Sequence, residues 1–165
     1  MNITKFQDQT IAIIGDVMLD KYIFGSVDRI SPEAPVPVIE AKSEKYVPGG
    51  AANAANNIVT LGGNAHLYGI VGNDNTRDIL LEVLNKKGIN TEGIITDSKK
   101  QTIQKIRVVG SNQQLLRIDY EPNISMVVFS RVKPRSSEMT VPPVRIAISS
   151  SIAFLRSPNP GALTA

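Results

Sequence analysis

The chain has 165 residues and contains no cysteine, which excludes a disulfide framework and any metal site built on thiolates. Its net charge of +3 comes from the last quarter, because residues 124–165 hold five basic side chains and one acidic side chain. The basic balance therefore does not indicate nucleic-acid binding. Residues 1–9 lack a signal-peptide pattern and no apolar run is long enough to cross a membrane, which together predict a cytoplasmic protein without a membrane partner.

A continuous apolar run at residues 10–14 predicts a buried parallel strand. It ends in Gly15-Asp16, and a second acid, Asp20, follows four residues later. Carboxylates at the carboxyl end of such a strand can accept hydrogen bonds from vicinal hydroxyls, as a polyol site requires. The alternative is that Asp16 caps a turn. A dinucleotide fingerprint is disfavoured because Gly15 does not begin a Gly-x-Gly-x-x-Gly series.

Residues 29–38 contain three prolines within a span of six residues. Proline has no backbone N–H to give to a sheet and cannot continue a helix. This segment is therefore predicted to be extended, as an edge strand or part of a lid.

The pair Gly49-Gly50 leads directly into an alanine-rich segment that carries Asn53. Paired glycines let the backbone approach a ligand closely, and the free N–H groups of a first helical turn favour oxygen-rich ligands. Asn53 offers both a donor and an acceptor. The pattern predicts a small-ligand site, with a glycine turn that caps an ordinary packing helix as the alternative.

Helical and strand patterns alternate through the middle of the chain, with helices at 51–61 and 76–87 and a strand at 65–71. This alternation predicts an α/β fold with a parallel sheet covered by helices. Residues 102–109 and 113–119 predict a β-hairpin.

Within the predicted hairpin, Lys105 and Arg107 share a face because they are two residues apart on a strand. Arg117 lies on the partner strand. One face is therefore predicted to be basic and able to meet an anion. The alternative is an ordinary solvated sheet face.

Four sequence blocks, Gly15–Asp20, Arg29–Val38, Pro48–Asn53 and Asn112–Arg117, resemble the ribokinase-like, or PfkB-type, carbohydrate kinases. They are most similar to the kinases of this family that act on heptose 7-phosphate, and the resemblance covers roughly residues 11–121. It implies the N-terminal part of a ribokinase-like αβα sandwich, incomplete, with a small β-sheet lid formed by strands near 22–47 and 102–119. It also implies a homodimer formed through the lid sheet.

The resemblance further implies ATP-dependent phosphorylation of the anomeric hydroxyl of D-glycero-D-manno-heptose 7-phosphate, a step toward the lipopolysaccharide inner core, with ATP and Mg²⁺. It assigns the sugar to Asp16, Asp20, Gly49, Gly50 and Asn53. The sugar 7-phosphate is assigned to a separate group on the hairpin, namely Lys105, Arg107 or Arg117.

The family places its general base in a late Gly-Ala-Gly-Asp motif, which this sequence does not contain. The expectation is therefore that the chain holds neither a catalytic base nor a metal site, binds no ATP and is inactive alone. Two alternatives are a fragment of another PfkB-type sugar kinase and a non-catalytic module for sugar-phosphate binding or dimerisation.

Residues 124–165 are rich in serine and proline, with eight and five respectively. They show little sustained periodicity and resemble no part of the family. The sequence predicts a boundary at residue 123, followed by an unrelated segment that is poorly ordered or translated out of frame.

Overall fold

The computed structural model describes residue 7, residues 9–121 and residues 145–148. These residues form eight strands and two helices, arranged in two separate four-stranded sheets. In chain order the elements are β1 (Thr10–Ile14), β2 (Val17–Ile30), β3 (Pro37–Gly50), α1 (Ala51–Thr60), β4 (Asn64–Gly72), α2 (Asn75–Lys86), β5 (Asn90–Asp97), β6 (Ile103–Gly110), β7 (Gln113–Tyr120) and β8 (Arg145–Ile148).

The first sheet, here called the core sheet, has the strand order β5-β4-β1-β8, and every neighbouring pair is parallel. Ile13 of β1 lies opposite Leu67 of β4, and both side chains are almost completely buried. The same apolar cluster includes the inward sides of both helices, with Ala52 from α1 and Leu80 from α2. The predicted α/β fold with a helix-covered parallel sheet is confirmed.

Local signals fix the ends of α2. The carboxylate of Asp74 accepts a hydrogen bond from the backbone N–H of Arg77 at 2.9 Å and so caps the helix. At the other end Gly88 adopts a φ of +71°, a backbone conformation that favours glycine after a helix. The observed helix starts and ends one residue before the predicted range.

The second sheet, here called the lid sheet, has the strand order β3-β2-β6-β7. The strands β2 and β3 form an antiparallel pair of 14 residues each, and the proline-rich segment supplies the turn between them. Of the segment 29–38 that was predicted to be an edge strand or part of a lid, residues 31–36 form this turn, and only residues 37–38 belong to β3, which lies at the edge of the lid sheet. The predicted hairpin of β6 and β7 is also present, and Ser111 and Asn112 form its turn with positive φ angles of 50° and 66°.

The predicted tail of residues 124–165 lies outside the described residues except for β8. That strand pairs in parallel with β1, with Ile13 opposite Ala147. The predicted boundary at residue 123 and the character of the tail stay predictions. Neither helix in the described part of the chain is long and apolar enough to cross a membrane.

Candidate functional site

Two chain junctions meet where the lid sheet leaves the core sheet. Asp16 joins β1 to β2, and Gly50 joins β3 to α1. The carbonyl oxygen of Asp16 accepts a hydrogen bond from the backbone N–H of Ala51 at 2.9 Å. The first amide of α1, which the sequence predicted to be open to a ligand, is therefore already used by the backbone.

Asp20 lies within β2, so its carboxylate projects from the lid sheet rather than from the loop after β1. Gly49 is two residues away across the β2–β3 ladder, opposite Met18. A Cβ atom built on Gly49 would stand 3.1 Å from Oδ2 of Asp20 and 2.8 Å from Cγ of Met18. The missing side chain at Gly49 thus makes the space in which the Asp20 carboxylate lies.

Arg107 on β6 reaches the same place. Its Nη1 atom lies 2.9 Å from Oδ1 of Asp20, and both side chains are about four-fifths buried. The guanidinium carbon also lies 5.3 Å from the ring centre of Tyr22, within the range of a cation–π contact. The ion pair with Asp20 raises the pKa of Arg107 although burial opposes the shift, so this side chain stays charged.

Lys105 points to two acids, Asp119 on the neighbouring strand and Glu121 just after the end of that strand. Its ammonium lies 3.3 Å from Oδ2 of Asp119 and also contacts Glu121. The guanidinium Nε of Arg117 lies 3.0 Å from the other oxygen of Asp119. The hydrogen bond with Glu121, followed by that with Asp119, raises the pKa of Lys105 although burial opposes the shift.

The face that the sequence predicted to be basic is therefore a mixed face on which every one of the three cations contacts an acid. For Lys105 the reason is a β-bulge in the hairpin. Val108 lies opposite Leu116, whereas the next residue, Val109, lies opposite Gln114, so that Leu115 has no partner. Without this bulge Lys105 would lie opposite Ile118, whereas the structure places it opposite Asp119.

The structure brings together only some of the eight predicted site residues. Asp20, Gly49 and Arg107 are in contact, and Asp16 lies half-buried at the adjoining junction. Asn53 is exposed on the first turn of α1.

Arg117 is half exposed and directly opposite Arg107, but its contact is with Asp119. Sequence reasoning missed Tyr22, Asp119 and Glu121. The two-residue spacing of Arg117 and Asp119 on β7 is a signal that could have identified Asp119, but no local pattern identifies Lys105 as its partner.

Asp119, which pairs with Lys105 and Arg117, should make the stability of the folded chain depend on pH. Partial burial opposes ionisation of Asp119, but Lys105 and Arg117 outweigh it and hold the pKa of Asp119 below its usual value. A lowered pKa means that the ion pair stabilises the folded chain above the ordinary aspartate pKa of about 4 and is lost as the pH falls through the folded value. We expect Asp119→Asn to reduce the loss of stability between pH 7 and pH 3, measured by urea unfolding at both values. An equal loss in both proteins would contradict this.

Within the described residues, no three histidine, cysteine or acidic side chains are placed to hold a metal ion. The acids at the lid face instead form ion pairs with Lys105, Arg107 and Arg117. The described donor set therefore does not fit Mg²⁺.

A sequence profile described as pfkB family carbohydrate kinase matches residues 8–163. The chain belongs to the pfkB family of carbohydrate kinases. This match runs past the boundary predicted at residue 123 and includes β8.

Curated relatives agree with that membership. The chain is 45% identical over 118 residues to the bifunctional protein HldE of Magnetococcus marinus and 51% identical over 112 residues to that of Azorhizobium caulinodans. These alignments cover 72% and 67% of the chain but 24% and 23% of the relatives. The chain thus spans about a quarter of the length of the curated relatives it matches.

Solved structures support the ribokinase-like fold. A ribokinase from Agrobacterium tumefaciens described as putative is 22% identical with a TM-score of 0.57, and the match covers 68% of this chain and 36% of that one. The ribokinase of Arabidopsis thaliana, solved with ribose and ATP, is 19% identical with a TM-score of 0.54, over the same 68% and 36%. At this level of identity the likeness concerns the fold.

Proposed function

We propose that this chain forms the sugar-phosphate-binding part of a kinase domain that acts on D-glycero-D-manno-heptose 7-phosphate. The observation that carries the proposal is the contact between Asp20 and Arg107 beside Gly49. In this contact a carboxylate that can accept hydrogen bonds from sugar hydroxyls lies beside a guanidinium that can donate to a phosphate, in a space kept open by a glycine. The identity of 42–51% to bifunctional HldE proteins supports the choice of heptose.

In this proposal each side chain has a binding role. Asp16 and Asp20 accept hydrogen bonds from sugar hydroxyls, and Asn53 can donate or accept from its exposed position on α1. Arg107 forms an ion pair with Asp20, but the paired Nη1 and Oδ1 atoms have no hydrogen-bond partner among the described residues, so the guanidinium N–H groups can still donate to a phosphate, whose geometry they match. In this proposal Asp20 has a second role, because its ion pair with Arg107 holds the guanidinium in place.

The proposed reaction transfers the γ-phosphoryl group of ATP to the anomeric hydroxyl, and we place it in the cytoplasm. The residues described here supply binding and orientation of the sugar phosphate. Proton removal from the anomeric hydroxyl is assigned to none of them, since the Gly-Ala-Gly-Asp motif is absent from the sequence. We accordingly expect the chain alone to bind sugar phosphate without turning it over.

The test is calorimetric binding of heptose 7-phosphate and of heptose to the wild type and to Arg107→Ala. Because charge-assisted hydrogen bonds contribute about 1.5–3 kcal/mol, we expect the preference for the phosphorylated sugar to fall by about 10- to 100-fold. Arg29→Ala is the matched control, since Arg29 is an exposed arginine at the far end of β2. An unchanged preference in Arg107→Ala would refute the assignment, and tighter binding of another sugar phosphate would favour a different kinase of the family.

A second candidate function is dimerisation through the lid sheet. Leu116, Ile118 and Tyr120 are 54%, 38% and 48% exposed. Because they alternate along β7, they share the face opposite Arg117 and Asp119. Such an exposed apolar strip favours burial against a second copy of the chain. Sedimentation equilibrium measures the oligomeric state, and calorimetry measures the sugar affinity. A dimer that binds no sugar favours this candidate, whereas a monomer that binds heptose 7-phosphate contradicts it.

A further inference from the structure

A polar cluster ties the end of β4 to the start of β6. It consists of Gly72, Asp74 and Thr102, and we call it the β4–β6 latch. Oδ2 of Asp74 accepts a hydrogen bond from the backbone N–H of Thr102 at 2.8 Å, across 28 residues of sequence. Oγ1 of Thr102 accepts a hydrogen bond from the backbone N–H of Gly72 at 3.0 Å. Thr102 is only 3% exposed, so these bonds are shielded from water.

The second oxygen of the Asp74 carboxylate also accepts a hydrogen bond. Oδ1 of Asp74 accepts the hydrogen bond from Arg77 that caps α2. Burial opposes the charge, but the hydrogen bonds from Thr102 and Arg77 hold the pKa of Asp74 below its usual value, so it is ionised at neutral pH. One side chain thus joins a helix of the core sheet to the strand that enters the lid.

Gly72 shows how closely the end of β4 packs against residues 100–102, which lead into β6. A Cβ atom at this position would lie 2.5 Å from the carbonyl oxygen of Lys100 and 2.7 Å from the backbone nitrogen of Thr102. Real Cβ atoms do not approach backbone atoms this closely. The chain that leads into β6 therefore lies directly against the end of β4, where a glycine is required.

The latch lies immediately before the strand that carries the phosphate-binding candidates. Thr102 precedes β6, and Lys105 and Arg107 follow three and five residues later, at roughly 10 and 17 Å along the strand. The hydrogen bond between Asp16 and Ala51 anchors the start of β2 and the end of β3 to the core sheet. The latch is the corresponding anchor for β6.

We propose that Asp74 is a positioning residue that fixes the start of β6, so that Arg107 meets Asp20 and a bound sugar phosphate. None of the site residues predicted from the sequence lies in the latch. The part of this inference that concerns ligand rests on the proposed function. The part that concerns the anchoring of β6 does not.

The test uses Asp74→Ser in the full chain. Serine keeps an acceptor for the N–H of Arg77 and so preserves the cap of α2, but it cannot also reach the N–H of Thr102. Thr102→Ser is the matched control, because it retains the hydroxyl that Gly72 donates to. The first measurement is amide hydrogen exchange without ligand. We expect exchange in β6 to be faster by about 10-fold in Asp74→Ser, with β4 unchanged.

The second measurement is the affinity for heptose 7-phosphate relative to heptose. Displacement of β6 should lower this ratio by about 10-fold in Asp74→Ser, while the affinity for heptose stays within about twofold. A merely structural role would weaken both sugars equally, and unchanged exchange in β6 would overturn the latch. If the wild type binds neither sugar, the proposed function fails and the exchange experiment alone decides the role of Asp74.

Discussion

Replacement of Gly50 by alanine is expected to destabilise the folded chain by about 3 kcal/mol or more. Gly50 adopts φ 55° and ψ −129°, a region that is essentially limited to glycine. In addition, an added Cβ atom would lie 2.5 Å from the carbonyl oxygen of Asp16, which accepts the first amide of α1. The substitution must therefore move the junction between the lid and the core sheet. Urea unfolding of both proteins measures the loss.

Gly88→Ala is the matched control for this prediction. Gly88 also has a positive φ, of 71°, but a Cβ atom there would meet nothing within 4 Å. The control should lose only the cost of the backbone conformation, about 1–2 kcal/mol. The difference between the two variants then reports the close approach of Asp16 to Gly50 together with the rarer backbone conformation of Gly50. Equal losses would contradict the packing described for this junction.

Asp20→Asn is expected to weaken binding of heptose and of heptose 7-phosphate by a similar factor, about 10-fold or more. The substitution removes the negative charge that strengthens hydrogen bonds from sugar hydroxyls. It retains an oxygen near Arg107, so the phosphate contact persists. The preference for the phosphorylated sugar should therefore survive, in contrast to its loss in Arg107→Ala. Calorimetry with both sugars separates the two variants.

Asp28→Asn provides the comparison for Asp20, because Asp28 is an exposed acid on the same strand. It should bind both sugars as the wild type does. The informative contrary result is an Asp20→Asn protein that loses affinity only for the phosphorylated sugar. In that case Asp20 would act solely through Arg107, and its assignment to sugar hydroxyls would be wrong.

Most of the elements from β1 to β7 were predictable because they have strong local patterns, but β5 and β8 were not predicted. The apolar run at β1, the caps of α2 and the turn at Ser111-Asn112 depend on neighbouring residues only. The predicted ranges of both helices and of β4 agree with the structure to within one residue at each end. The length of β2 was not predictable, since its continuation into the lid depends on pairing with β3 and β6 rather than on its own sequence.

By itself the sequence determined the α/β alternation, the glycine pair and the acids that belong near it. Only the tertiary structure decided which charges meet. A single unpaired residue, Leu115, shifts the register of the hairpin and places Asp119 opposite Lys105. The bond between Asp74 and Thr102 likewise joins residues 28 positions apart. A cross-strand or long-range partner is fixed by register and packing, which no local pattern of residues contains.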